Sequence, residues 1–131
     1  MKKILKRVTA MCCATIMAAS TMAMSANAEN PTAKGLIKNY KVTGVSKCSR
    51  TYASGCTSTG APTVPYINST YVYINTSSLK VVTQKKSSSK VQHSNTVNFS
   101  APAGCRSIQI SSKHSAGYKG ASWSDYTLDV Y

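Results

Sequence analysis

The chain has 131 residues, with sixteen Lys or Arg against three Asp or Glu, for a net charge of +13. So few carboxylates exclude an oxygen-rich calcium cage, and no Walker-type phosphate loop is present. The length suits one domain.

In chain order, the first element is an export segment. Lys2, Lys3, Lys6 and Arg7 form a positive start, Val8 to Met24 carry no charge, and Ser25-Ala26-Asn27-Ala28 puts small residues at −3 and −1 of a cut after Ala28. A membrane anchor needs about 20 predominantly apolar residues, and Thr9, Thr15, Ser20 and Thr21 dilute this run. Neither Cys12 nor Cys13 follows the Leu-x-Gly/Ala arrangement of a lipoprotein signal. Residues 1–28 therefore predict a cleaved signal helix, and a protein secreted to the extracellular side of a bacterium, of Gram-positive type. Processing removes all five Met and four of the sixteen basic residues. Twelve Lys and Arg remain against Glu29, Asp125 and Asp129, a net +9 over 103 residues.

Residues 29–35 read as a flexible leader, and 36–131 as a single domain. Val, Ile, Thr, Tyr and Ser dominate, bounded by Gly, Pro and Asn, with no helical periodicity, which is β composition. Leu36–Val45 alternates, with Leu36, Tyr40 and Val42 on one parity. In Tyr71–Asn75 both parities are apolar or aromatic, so both faces are expected to be partly covered. Ser78–Gln84 and Val91–Phe99 flank Lys85-Lys86-Ser87-Ser88-Ser89-Lys90, which reads as a hairpin with a basic tip. Ala101-Pro102-Ala103-Gly104 has the residues of a type I turn. Arg106–Ser112 places Ile108 and Ile110 inward, and Ser122–Tyr131 places Tyr126, Leu128 and Val130 inward. Six to eight such strands predict an all-β fold, a small antiparallel β-sandwich.

Three cysteines survive processing, Cys48, Cys56 and Cys105. In an oxidising compartment a disulfide is expected, with one thiol left over. A bridge to Cys105 would stabilise by about 4 kcal/mol against about 2.5 for Cys48–Cys56. The shorter link is the easier to form, so Cys48–Cys56 is the expected pair. Cys105 is then free, buried as a small hydrophobe, or joined to a second chain.

Chemistry is sparse. Asp125 and Asp129, four residues apart on one strand, lie roughly 13 Å from each other, beyond the ~5–9.5 Å of paired glycosidase carboxylates. His93 and His114 are the only imidazoles, and among so many serines His93-Ser94 and His114-Ser115 carry no catalytic information. Cys105 with His114 is the remaining nucleophile–base pairing, the basis of a small secreted hydrolase as an alternative. Metal-ligand spacing is absent, so neither a metal nor a cofactor is expected.

What remains is surface. A basic domain attracts polyanions and anionic membranes. Export makes nucleic acid a poor partner, and leaves an anionic cell-wall polymer, a membrane surface or a wall precursor. Lys85, Lys86 and Lys90 at the expected basic tip are the candidate cations. Trp123 and Tyr131 share one parity of the last strand with Asp125, Thr127 and Asp129. If the opposite parity faces the core, this set forms a sugar-stacking or homodimer face. In the alternative, Trp123 packs under the Gly117-Tyr118-Lys119-Gly120 loop.

The segment Ser89-Lys90-Val91-Gln92-His93-Ser94-Asn95-Thr96-Val97 resembles the lactococcin-type secreted bacteriocins, in which a Lys precedes a His-Ser-x-Thr-Val strand and the chain ends on an aromatic-rich strand. The resemblance covers about residues 89–131. The chain departs from that plan in its three mature cysteines and its longer N-terminal half. The resemblance implies an exported antibacterial β-sandwich that engages a wall precursor and blocks wall synthesis without catalysis. A non-toxic wall- or glycan-binding adhesion module is the alternative.

Overall fold

A computed structural model describes residues 30–131. The expected signal helix over 1–28 lies outside the described residues. Eight antiparallel strands form two four-stranded sheets: β1 (Thr32–Ile37), β2 (Tyr40–Cys48), β3 (Tyr52–Thr59), β4 (Tyr66–Asn75), β5 (Val81–Ser88), β6 (Ser94–Ser100), β7 (Cys105–Tyr118) and β8 (Ala121–Val130). Sheet I has the order β1-β2-β3-β6, and sheet II the order β5-β4-β7-β8. The all-β sandwich is as the sequence predicts.

Several boundaries differ from the sequence reading, each for a local reason. The leader is not loose: Thr32 already pairs with Val45, and Asn30 exchanges two backbone hydrogen bonds with Leu128 of β8. Leu36–Val45 is not one strand, because the chain reverses at Lys38-Asn39, with Lys38 at φ 52°. The reversal turns Leu36 outward, 62 % exposed, while Val42 points into the core. β5 and β6 do not form a hairpin. β5 pairs with β4 and β6 with β3, so the stretch between them crosses from one sheet to the other. The turn before β7 is shifted by one residue. Cys105 N donates to Pro102 O, and Gly104, at φ 77°, takes the third position of a type II turn. Lys119 and Gly120, both at positive φ, make the two-residue hairpin turn between β7 and β8.

Between the sheets, Ala53, Ile67, Tyr71, Tyr73, Val97, Phe99 and Ile110 form the main apolar cluster. A smaller one gathers Ile37, Val42 and Ala116, with Tyr118, Ala121 and Trp123 against it. Tyr71, Val72, Tyr73 and Ile74 are all buried, so β4 is covered on both parities as expected. A bulge between Val72 and Tyr73 lets Ile108 of β7 join the buried set.

The last strand has the opposite orientation to the one its aromatic pattern suggested. Thr127, Asp125, Asp129 and Trp123 pair with Ser112, His114, Ile110 and Ala116, the inward residues of β7, so this parity faces sheet I. Tyr126, Leu128 and Val130 face away from it. What decided the outcome is a hydrogen-bonded interior: Thr127, fully buried, meets polar partners from both sheets.

A candidate groove beside a polar interior

Two glycines let the sheets approach closely enough for small polar groups to meet between them. A Cβ on Gly44 would lie 2.4 Å from the His114 ring, and one on Gly55 2.6 Å from Ser69 Oγ. In the space so created, Ser69 meets Ser112 at 2.7 Å, Ser112 meets Ser46 at 2.7 Å, and Ser46 meets Thr127 at 2.6 Å. His114 lies between Thr127 on Nε2 and Thr57 on Nδ1, both at 2.7 Å.

Hydrogen counting fixes the direction of this chain. Thr57 donates its one hydroxyl hydrogen to Tyr66 O, so it accepts from His114 Nδ1–H. Nε2 of the neutral ring then accepts from Thr127, which accepts from Ser46, which accepts from Ser112, which accepts from Ser69. Burial pushes the His114 pKa down to about 4, only partly opposed by the Asp125 carboxylate. A second proton on the ring would reverse four hydroxyls in sequence.

His114 is therefore an interior residue. Nine residues separate it from Cys105 on the same strand, roughly 30 Å on an extended chain, so the two cannot act as nucleophile and base. His93 is held by its backbone N–H on Thr63 O and by Nδ1–H on Thr59 O. Among the described residues, no group of three His, Cys, Asp or Glu could hold a metal ion.

The expected Cys48–Cys56 bridge is ruled out by register. Cys48 pairs with Ala53 and Cys56 with Val45, three positions along the ladder, and they point to opposite faces of sheet I. All three thiols are free. Cys48 and Cys105 both pack against the main apolar cluster, whereas Cys56 sits on the outward parity beside Ser94. Burial pushes the Cys48 thiol up to about 12, against a lowering hydrogen bond from Ser107 and with a further rise from Asp129.

The five candidate binding residues do not converge. Lys85 pairs with Thr70 on the outward face of sheet II, and Lys90 is exposed in the crossover loop. Lys86 shares the inward parity with Ser69; its Nζ donates to Asn98 O at 2.5 Å and lies 5.0 Å from the Phe99 ring centroid. It thereby closes the gap between edge strands β5 and β6. The crossover loop is fastened by buried Asn95, whose Oδ1 accepts from Ser88 Oγ, Lys90 N and Val91 N. Tyr131 is 51 % exposed beneath Arg106, eight residues beyond Trp123 and so at the opposite end of β8.

Trp123 alone among them lines a cavity, a groove of about 380 Å³ at the β7–β8 hairpin end of sheet II. Ser115 and Ser124 pair across its floor, as do Gly117 and Ser122, and small side chains on both strands leave the space open. Tyr66, Lys113 and Val64 supply the walls. Sequence reasoning passed over Tyr66, Lys113 and the serines. The signal was there in Lys113-x-Ser115-x-Gly117 and Ser122-x-Ser124, alternating small residues on the two sides of the Lys119-Gly120 turn.

The two carboxylates of β8 both point inward: Asp129 Oδ2 accepts from Cys48 N, and Asp125 Oδ1 accepts from Tyr126 N. By strand alternation, the charged side chains on the outward faces of the two sheets are basic: Lys34, Lys41 and Lys47 on sheet I, and Lys85, Arg106 and Lys113 on sheet II. Compared with known proteins, the chain matches no family model, no curated protein and no solved structure.

Proposed function

We propose that this is a secreted, bacteriocin-like protein that binds an anionic component of a bacterial envelope, a wall polymer, membrane surface or wall precursor, without catalysing a reaction on it. One observation carries the reading: both strand carboxylates are turned into the sandwich, so both outward faces meet a partner with basic groups alone. Such a surface concentrates polyanions over a Debye length of about 8–10 Å and loses that attraction as salt rises. The resemblance of the Lys90 to Val97 segment to the lactococcin-type bacteriocins adds growth inhibition to this binding. The neutral, enclosed His114 and the tethered His93 leave neither imidazole in a groove with a nucleophile.

The test is a zone-of-inhibition assay with the exported chain on Gram-positive bacteria, beside sedimentation with isolated wall material across a salt series. Inhibition, with retention that falls as salt rises, is the expected result. Retention unaffected by salt would contradict the charge argument. Salt-sensitive retention without inhibition of any strain would favour a non-toxic adhesion module.

A further inference from the structure

The outer side of a sheet in a two-layer sandwich faces water and is expected to be polar. Sheet I has such a side: Lys34, Thr43, Ser58 and Ser94 form one row across all four of its strands. One end of sheet II differs. Val72 and Ile74 take the parity opposite to interior Tyr71 and Tyr73, and Leu128 the parity opposite to Thr127, so all three point outward. Val81 pairs with Ile74, and Val130 with Gln109, the partner of Val72, which carries the aliphatic patch to both edge strands. The bulge adds Ile108, buried but in neither interior cluster. In the full chain Val72, Ile74, Ile108 and Leu128 are 5 % exposed or less, although none of the eight strands lies on that side. Export, as read above, removes residues 1–28, and the face that matters is the one the exported chain presents.

Two polar atoms on the same side have no hydrogen-bond partner among the described residues, Ser111 Oγ and Arg106 Nε. Ser111 is 3 % exposed and pairs with Leu128, and Arg106 pairs with Ile74, so both adjoin the patch. Each can donate, and a buried donor costs free energy until a partner brings an acceptor. Lys85 and Lys113 stand on the neighbouring rows, paired with Thr70 and Asn68. Among the described residues no carboxylate shares this side, because Asp125 and Asp129 have the inward parity.

We infer that the outer side of sheet II docks on an anionic lipid membrane, which rests on the envelope-binding reading above and selects the membrane surface among its partners. Binding at a lipid interface combines buried apolar area with attraction to anionic headgroups, and this side supplies both. The aliphatic patch meets the acyl boundary, and Lys85, Arg106 and Lys113 meet phosphates around it. Phosphate and ester oxygens are acceptors for Arg106 Nε and Ser111 Oγ. A hydrated wall polymer would answer the charge but leave the aliphatic side chains against water. A second copy of this chain would set the same three cations against one another with no carboxylate between them.

The experiment sediments the exported chain with vesicles of phosphatidylglycerol or of phosphatidylcholine, at about 0.1 M salt. Partition onto phosphatidylglycerol is expected to be at least tenfold the stronger. Lys85→Gln and Lys113→Gln should each weaken it about fivefold. Lys34→Gln and Lys47→Gln lie on the far side of the sandwich, beyond a Debye length of about 10 Å, and should leave it unchanged. Val81→Thr keeps a β-branched side chain at a position 38 % exposed, where the fold tolerates it, and should weaken partition at least threefold. Val72→Thr should weaken it further, with the urea midpoint recording that the chain is folded. No partition onto either vesicle, or equal partition onto both, overturns the inference. Equal losses from the lysines of the two sheets overturn the choice of face, and wild-type partition by both threonine variants overturns the apolar contact. A dimer that Val81→Thr dissociates would give the face to a second copy and overturn the membrane assignment. The wider reading fails separately: salt-sensitive retention on wall material without partition onto vesicles removes the membrane face alone, and partition without inhibition of any strain removes the bacteriocin-like activity alone.

Discussion

Around Tyr71 the space between the sheets is filled by rings and branched aliphatics; around His114 it is filled by glycines, hydroxyls and one imidazole. The first region gains from removing apolar surface from water, which is nearly indifferent to pH. The second gains by satisfying each buried polar group, and its hydrogen-bond order permits only one protonation state of the ring. A polar point also lies at the edge of the first region, where Tyr71 Oη meets Ser107 Oγ at 2.6 Å and Cys48 leans on the same serine. There burial favours neutral acids. The two regions are therefore vulnerable at opposite ends of the pH scale.

The largest expected loss is in the apolar region. Phe99 is 1 % exposed and packs its ring 5.3 Å from that of Tyr71. Phe99→Ala should cost about 3–5 kcal/mol in urea unfolding, with the same cost at pH 5 and pH 8. A cost that varied with pH between those values would show that the two regions are not independent.

Next comes acid. The His114 pKa of about 4 lies below its ordinary 6.5, so the folded chain holds the neutral ring while the unfolded chain takes up a proton first. The stability this supplies is complete above pH 6.5, declines as pH falls, and is lost by pH 4, on the order of 3 kcal/mol in all. Unfolding free energy measured across that window should slope downward toward acid. His114→Gln should start lower at pH 7 and show a much flatter slope. A wild-type slope retained in full by the variant would assign the acid effect elsewhere.

The contrast also explains what could be read from the sequence. The sandwich, its strand composition and the double-sided burial of Tyr71 to Ile74 follow from local alternation, which one strand's residues display. The direction of β8 does not. Tyr126, Leu128 and Val130 make the more apolar parity, yet Thr127 goes inward because Ser46 and His114, contributed by other strands, receive it. A polar seam assembled from five strands leaves no period in any of them. Gly44 and Gly55 are its trace, each a place where a side chain of the opposite sheet approaches the backbone. For the same reason the pattern of β8 leaves an outward and a packed Trp123 both open, and the structure turns the ring inward against Gly35 of the facing sheet.

Alkali should weaken the Tyr71 region as acid weakens the other. Burial raises the Cys48 thiol to about 12 from 9.0 and also raises the Tyr71 phenol, so both stay neutral when folded. Their contribution is intact below pH 9 and declines as pH rises toward 12, because the unfolded chain ionises first. Cys48→Ala should flatten that alkaline decline without touching the acid limb. A parallel measurement uses thiol alkylation at pH 8 under native conditions. Cys56, on the outward face of sheet I, should react, while Cys48 should wait for unfolding. Labelling of Cys48 as fast as Cys56 would place that thiol outside the apolar region.

The smallest expected effect sharpens the comparison most. Tyr71→Phe keeps the ring and its contacts with Phe99 and Tyr73, and removes only the hydroxyl bonded to Ser107. In an apolar region one neutral hydrogen bond contributes about 1 kcal/mol, and Ser107 keeps Cys48 as a neighbour, so the loss should stay near that value. Ser112→Ala deletes a group of similar size in the polar seam but cuts the chain between Ser46 and Ser69, leaving Ser46 without its donor and Ser69 without its acceptor. Its cost should be the larger by about a factor of two, the penalty of two unsatisfied buried hydroxyls. Equal costs would mean that the seam is a set of separate pairs, and that the single direction of donation from Ser69 to His114 has no energetic consequence.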